Sequence, residues 1–113
     1  MHIDGYEFGA IVIDGRTYRS DLLIWPGHLK TDWWRLEGHL LQLPDVAEAL
    51  AAEPQVLVVG TGAYGNMALD PELVSYLQDK GIDLIDRPTR EACHSINELA
   101  GKRRLAAALH LTC

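Results

Sequence analysis

Several protein classes are excluded by what this 113-residue sequence contains little of. Its two cysteines, Cys93 and Cys113, are too few for the disulfide framework of a small secreted domain and suit a reducing compartment. No apolar run approaches the length of a membrane span. The first residues, MHIDGYEFGA, carry neither the basic region nor the apolar stretch of a secretory signal, so a soluble cytoplasmic protein without membrane contact is expected. No stretch combines low hydrophobicity with high charge, and neither repeats nor low-complexity tracts occur, which argues against extensive disorder. Basic residues are in the minority. The formal charge is −6, the acids are dispersed, and the one basic cluster, Lys102-Arg103-Arg104, follows a predicted helix whose C-terminal carbonyls it complements. Nucleic acid is therefore not an expected partner. No Ser-His-Asp order, activated cysteine pair or paired-carboxylate motif stands out, so no catalytic residue is nominated.

What is present reads as one α/β domain over residues 1–113, with 48% hydrophobic residues to supply its core. Two extended runs between Glu7 and Trp25 flank Asp14-Gly15, a dipeptide suited to the positive φ angles of a tight hairpin turn. Pro26-Gly27 makes a second turn, and Gly38-His39-Leu40-Leu41 reads as short strand or loop. Asp45 and Glu48 have capping-box spacing, which predicts a helix starting at Asp45 with Val46, Ala49 and Leu50 on one face and ending before Pro54. Val56-Leu57-Val58-Val59 suits a strand covered on both faces and ending at Gly60. Asp70-Pro71-Glu72 opens a helix that Gly81 closes. Ile82 to Ile85 gives another strand, and Thr89 is expected to cap a helix whose Ala92, Cys93, Ile96, Leu99 and Ala100 form one apolar stripe. Leu105 to Leu111 is ambiguous, its alanines favouring helix and its short apolar run favouring a buried strand; the strand-helix alternation from Val56 onward tips it to strand. The N-terminal hairpin is expected to extend or cover the resulting sheet.

Two regions carry candidate site residues. Gly60-Thr61-Gly62-Ala63-Tyr64-Gly65 has the glycine spacing of a dinucleotide-binding turn and follows a predicted strand, with Asp86 near the end of the next. The nearest clear helix start, Asp70-Pro71, comes several residues late for a Rossmann unit, so no dinucleotide or other cofactor is expected. Gly60, Thr61, Gly62 and Gly65 remain candidates for holding a small anion or a partner carboxylate through backbone amides, against the plainer reading of a loop that needs glycine for packing. The second region, Trp33, Trp34, Arg35 and His39, with Trp25 nearby, has the composition of an interface hot spot, although some of the indoles are expected in the core. Trp33 and Trp34 would face opposite ways if extended. Cys93, His94, His110 and Cys113 are residue types that bind zinc, but neighbours on a helix diverge and Cys93 belongs to the apolar stripe, so no metal site is expected.

Taken together, Tyr6-x-Phe8-Gly9-x-Ile11, Gly15-x-x-Tyr18, Asp21, Trp34-Arg35-x-x-Gly38-His39, Gly60-Thr61-Gly62-x-x-Gly65, Gly81-Ile82, Thr89-x-x-Ala92, Asn97 and His110-Leu111-Thr112-Cys113 give a chain that resembles the Mth-type domain family over nearly its full length. Relatives in that family include the adipogenesis-associated Mth-domain protein and mitochondrial complex I assembly factor 3. The resemblance implies a three-layer α/β fold around a mixed central sheet and makes the last segment a strand. It brings no catalytic residues. The leading expectation is a non-catalytic protein-binding or assembly module with a protein partner. The competing one is a small-anion-binding protein, or an enzyme, that uses residues 60–65.

Overall fold

The structure, a computed structural model, describes residues 1–113. In chain order its elements are β1 (Ile3–Glu7), β2 (Ala10–Ile13), β3 (Arg16–Tyr18), β4 (Leu22–Trp25), β5 (His28–Lys30), β6 (Leu40–Leu41), α1 (Leu43–Leu50), β7 (Val56–Thr61), β8 (Ala68–Leu69), α2 (Pro71–Lys80), β9 (Asp83–Arg87), α3 (Thr89–Leu99) and β10 (Leu105–His110).

The centre is a mixed five-stranded sheet in the order β5-β4-β10-β7-β9. Strands β7 and β10 are parallel from Val56↔Leu105 to Thr61↔His110, and every residue in both is buried. Their side chains alternate between two cores. Val56, Val58, Leu105, Ala107 and Leu109 face Ile11, Ile13, Ala92, Cys93 and Ile96. Leu57, Val59, Ala106 and Ala108 face Val46, Ala49, Leu50, Leu73 and Leu77. One layer therefore carries α1 and α2, and the opposite layer carries α3 with a three-stranded antiparallel sheet, β1-β2-β3. The three alanines at 106–108 form strand despite their helical preference, because burial between two layers outweighs local propensity and small side chains let both layers approach.

The hairpin turn lies at Asp14-Gly15, both at positive φ (49° and 79°), and joins β2 to β3. This hairpin covers the central sheet, while the second half of the run to Trp25 becomes β4, which pairs antiparallel with β10. Asn97 on α3 holds β1 in place by accepting from the Ile3 N–H (2.7 Å) and donating to the Ile3 carbonyl (2.9 Å). Helix α2 has the ends its sequence dictates. The Asp70 carboxylate accepts from Glu72 N–H, Pro71 opens the first turn, and Gly81 is left-handed at φ 68°.

Three local readings are corrected. Helix α1 starts at Leu43 behind Gln42; Asp45 sits one turn in, where its carboxylate accepts from the N–H groups of Gln42 (2.8 Å) and Leu36 (3.0 Å). Pro44 in the first turn is what allows the earlier start. Gly60 lies inside β7, where β9 and β10 both still pair, and the strand continues to Thr61 because β10 pairs there. Thr89 is the first residue of α3 and not its cap, because its hydroxyl is drawn inward to the sheet.

Candidate functional site

The parallel strands β7, β9 and β10 end on the same edge of the sheet, the usual position of sites in α/β folds. Both sequence regions meet there, joined by two residues that were not nominated, Asp21 and His110. Asp21 immediately precedes β4, whose antiparallel pairing sets Leu22 opposite Leu109, so the carboxylate arrives beside the end of β10. One oxygen, Oδ2, accepts from Arg35 Nη1 (2.8 Å) and lies 2.8 Å from His110 Nδ1. The other, Oδ1, accepts from the Leu111 N–H at 2.8 Å. Arg35 Nη2 lies 3.2 Å from the same His110 nitrogen, and Arg35 Nε donates to the Gly38 carbonyl at 2.9 Å. The guanidinium also stands 5.0 Å from the centre of the Trp33 ring.

Burial alone would push the Asp21 carboxyl upward, but hydrogen bonds from His110, the Leu111 N–H and Arg35 outweigh it and hold the group below the usual carboxylate range. An ionised carboxylate only accepts, so the His110 Nδ1–H donates to it, which leaves the second ring nitrogen, Nε2. That nitrogen is fully buried and has no hydrogen-bond partner within the protein; the His39 ring meets the His110 ring edge-on at 5.8 Å. The orientation is that of an Asp-His base, but a substrate atom cannot reach Nε2 in this conformation. What the cluster does here is lock the segment from Trp33 to Gly38 and the strand end at Leu111 to one carboxylate.

The segment so locked is inverted relative to a normal core pattern. Trp33 is buried, and its Nε1 donates to the Asp45 carbonyl at 3.0 Å. Arg35, on the same side, is also buried at 6% side-chain exposure, while the apolar Trp34 and Leu36 stand in solvent. His39 is exposed beyond its contact with His110. Trp25 is elsewhere, half-buried and stacked on His28.

In the glycine-rich segment the N–H groups of Gly62, Ala63, Gly65, Asn66 and Met67 are engaged within the chain. Gly62 N–H donates to the Thr89 hydroxyl (2.9 Å), which donates to the His110 carbonyl (2.6 Å). Ala63 N–H donates to the Thr112 carbonyl, Gly65 N–H to that of Gly62, Asn66 N–H to that of Cys113 and Met67 N–H to that of Thr61. Gly62 thus packs closely against Thr112 and Cys113, Gly60 against Leu109 and Thr89, and Gly65 against Pro88, while Thr61 pairs with His110, and the arrangement lends no support to an anion cradle. Nor does a helix open at these glycines, since α2 starts only at Pro71. Cys93 is buried in the α3 stripe, where burial pushes its thiol up to about 11, while its neighbour His94 is exposed. Both cysteines are free thiols.

Fold and site together define a class: a three-layer α/β domain whose sheet edge is closed by a buried Asp-Arg-His cluster and a glycine turn packed under the last strand. The chain belongs to the family described as protein of unknown function DUF498/DUF598, whose pattern matches residues 3–110. It is 36% identical over 111 residues to NADH dehydrogenase [ubiquinone] 1 alpha subcomplex assembly factor 3 of Xenopus tropicalis, a match covering 96% of this chain and 59% of that relative. Among solved structures, a conserved hypothetical protein from Pyrococcus horikoshii is 34% identical, with a TM-score of 0.88 and full coverage of both chains. A Mth938-like domain protein of Bordetella pertussis, 24% identical with a TM-score of 0.70 over 97% of this chain and 85% of that one, shares the fold. No helix is long and apolar enough to cross a membrane.

Proposed function

We propose that this chain is a non-catalytic assembly module that docks a protein partner at the carboxyl edge of its central sheet, acting in the cytoplasm. The observation that carries the reading is the inverted segment. Trp34 is 85% exposed and Leu36 71%, held out by an arginine that is itself buried and ion-paired. Burying a guanidinium while exposing an indole runs against the hydrophobic effect, so the arrangement has a use only when something covers the indole. Phe8 (55%) and Tyr64 (72%) add a second exposed pair, with ring centres 6.1 Å apart. Both pairs hang from the same stretch of chain. Gly9 N–H donates to the Leu111 carbonyl, Ala63 N–H to that of Thr112, and Arg35 reaches Leu111 through Asp21. The Xenopus relative is named as an assembly factor, and work of that kind depends on a binding surface and needs no catalytic group.

The test is a quantitative affinity capture comparing the wild-type chain with Trp34→Ser/Leu36→Ser and with a control substitution at exposed Glu72. Loss of a specific partner from the double variant alone is expected. An unchanged partner set would overturn the reading.

A further inference from the structure

At the opposite end of the sheet, two strand edges frame a cleft that the docking surface does not use. Strand β3 is the outer strand of the small sheet and β5 the outer strand of the central one. Between them lies a space of about 440 Å³, walled by Ile13, Tyr18, Ile24, Trp25, Leu29 and Leu105. Its volume falls within the ordinary range of small-molecule sites, and at about 30 Å³ for each water-sized group it takes about fifteen non-hydrogen atoms.

The walls have two distinctive parts. Trp25 and His28 stack at 5.1 Å with only 10° between their planes, across the Pro26-Gly27 turn, and His28 Nδ1 lies 3.2 Å from the Pro26 carbonyl. That contact orients the ring and gives the cleft a flat aromatic wall. Arg16, on the facing lip, stands 5.5 Å from the centre of the Tyr18 ring. Arg16 is in none of the chain's ion pairs. Asp14, which lines the same cleft, forms no ion pair with it and has one carboxylate oxygen taken by the His2 N–H at 2.8 Å. A guanidinium without a partner, fixed over an aromatic ring at the mouth of an apolar cleft, offers a two-pronged donor to a carboxylate.

We propose that this cleft binds a small amphiphilic organic acid, its carboxylate on Arg16 and its apolar body along Ile13, Leu29 and the Trp25-His28 wall. Beyond Arg16, Asp14 and His28 the walls are apolar, which suits a molecule with one acid head on an apolar body better than a polyanion. The site lies at the other end of β10 from His110, so its occupancy does not depend on the docking surface.

Decanoate, with twelve heavy atoms, is the probe, kept below its micelle-forming concentration. Titration into ¹⁵N-labelled protein is expected to give saturable shifts at Arg16, Leu29 and the Trp25 indole. Arg16→Gln, an exposed position where the fold is not at risk, is expected to weaken decanoate about tenfold and leave decan-1-ol binding unchanged, with Arg16→Lys falling between. Saturable shifts at the cleft that Arg16→Gln leaves equally strong, decanol binding as tight as decanoate, or an absence of saturable shifts would each overturn the proposal.

Discussion

Asp21 and His110 stand 89 positions apart in the chain, yet a carboxylate oxygen of one lies 2.8 Å from a ring nitrogen of the other. Because the same oxygen also takes Arg35, removing the carboxylate strands a buried guanidinium. Asp21→Ala is therefore expected to lower stability by about 3–5 kcal/mol, and Asp21→Asn by less, since an amide can still accept. Urea unfolding followed by circular dichroism measures both. A loss under about 1 kcal/mol for the alanine variant would show the pair to be dispensable.

The same carboxylate makes stability depend on acid. Its folded pKa is lowered, so its contribution is complete above the unfolded value of about 4 and is lost as pH falls through the folded value. Melting temperatures of the wild type and Asp21→Asn between pH 6 and 2.5 should converge as the acid end is approached. Curves that stay parallel would assign the acid sensitivity to other carboxylates.

At Gly62, with φ +107°, an added Cβ would sit 2.7 Å from the Thr112 carbonyl oxygen and closer still to the Cys113 backbone. Neither contact is with a flexible side chain that could swing away. Gly62→Val should cost more than about 2 kcal/mol through both the backbone angle and the clash. Since the amides of Gly62, Ala63 and Gly65 are already engaged, phosphate should raise the melting temperature of neither protein. A wild-type rise that the variant loses would restore the anion reading.

Much of this was legible in the sequence where local chemistry decides the outcome. Asp70-Pro71 and Gly81 fix both ends of α2, Asp14-Gly15 fixes a hairpin, and the apolar run at Val56 marks a central strand. The site was legible only as two separate patches. Asp21 is a lone acid before an apolar run and His110 a lone imidazole near the end, and nothing local says that antiparallel pairing of β4 with β10 will bring them together. Both lay among the residues that carried the family resemblance, without a role attached. One signal was available: in an extended Trp33-Trp34-Arg35-Leu36, whichever face buries Trp33 also buries Arg35, and a buried arginine requires a carboxylate. Thr89 misled for a different reason. A threonine at a helix start ordinarily caps it, but this hydroxyl bridges Gly62 to His110 instead.

The neighbouring tryptophans should behave as opposites. Trp33→Ala is expected to cost about 3–5 kcal/mol as a core truncation, whereas Trp34→Ser should fall within about 0.5 kcal/mol of wild type. Iodide should quench the Trp34 emission and spare that of Trp33. Equal destabilisation by the two substitutions would refute the in-out alternation.

The two thiols should differ as sharply. Cys93 is buried with its thiol pushed up to about 11, and Cys113 is partly exposed. A colorimetric disulfide reagent at pH 8 should titrate one thiol quickly in the native protein, none quickly in Cys113→Ser, and Cys93 only after denaturation. Rapid reaction in the native Cys113→Ser protein would mean that α3 opens readily.

The placement of β10 also bears on how the molecule comes into being. The middle of the sheet is filled by residues 105–110, between a strand made near the start of the chain and one made halfway along it. Until those residues leave the ribosome, β4 and β7 have no common neighbour, and both cores lack the side chains that β10 contributes to them. Synthesis of everything up to residue 104 therefore yields a nascent chain with two open apolar faces and free strand edges, which is the kind of surface chaperones retain. A ribosome stalled just before β10 emerges should hold a protease-sensitive chain, and one stalled after residue 113 has cleared the exit tunnel should hold a resistant one.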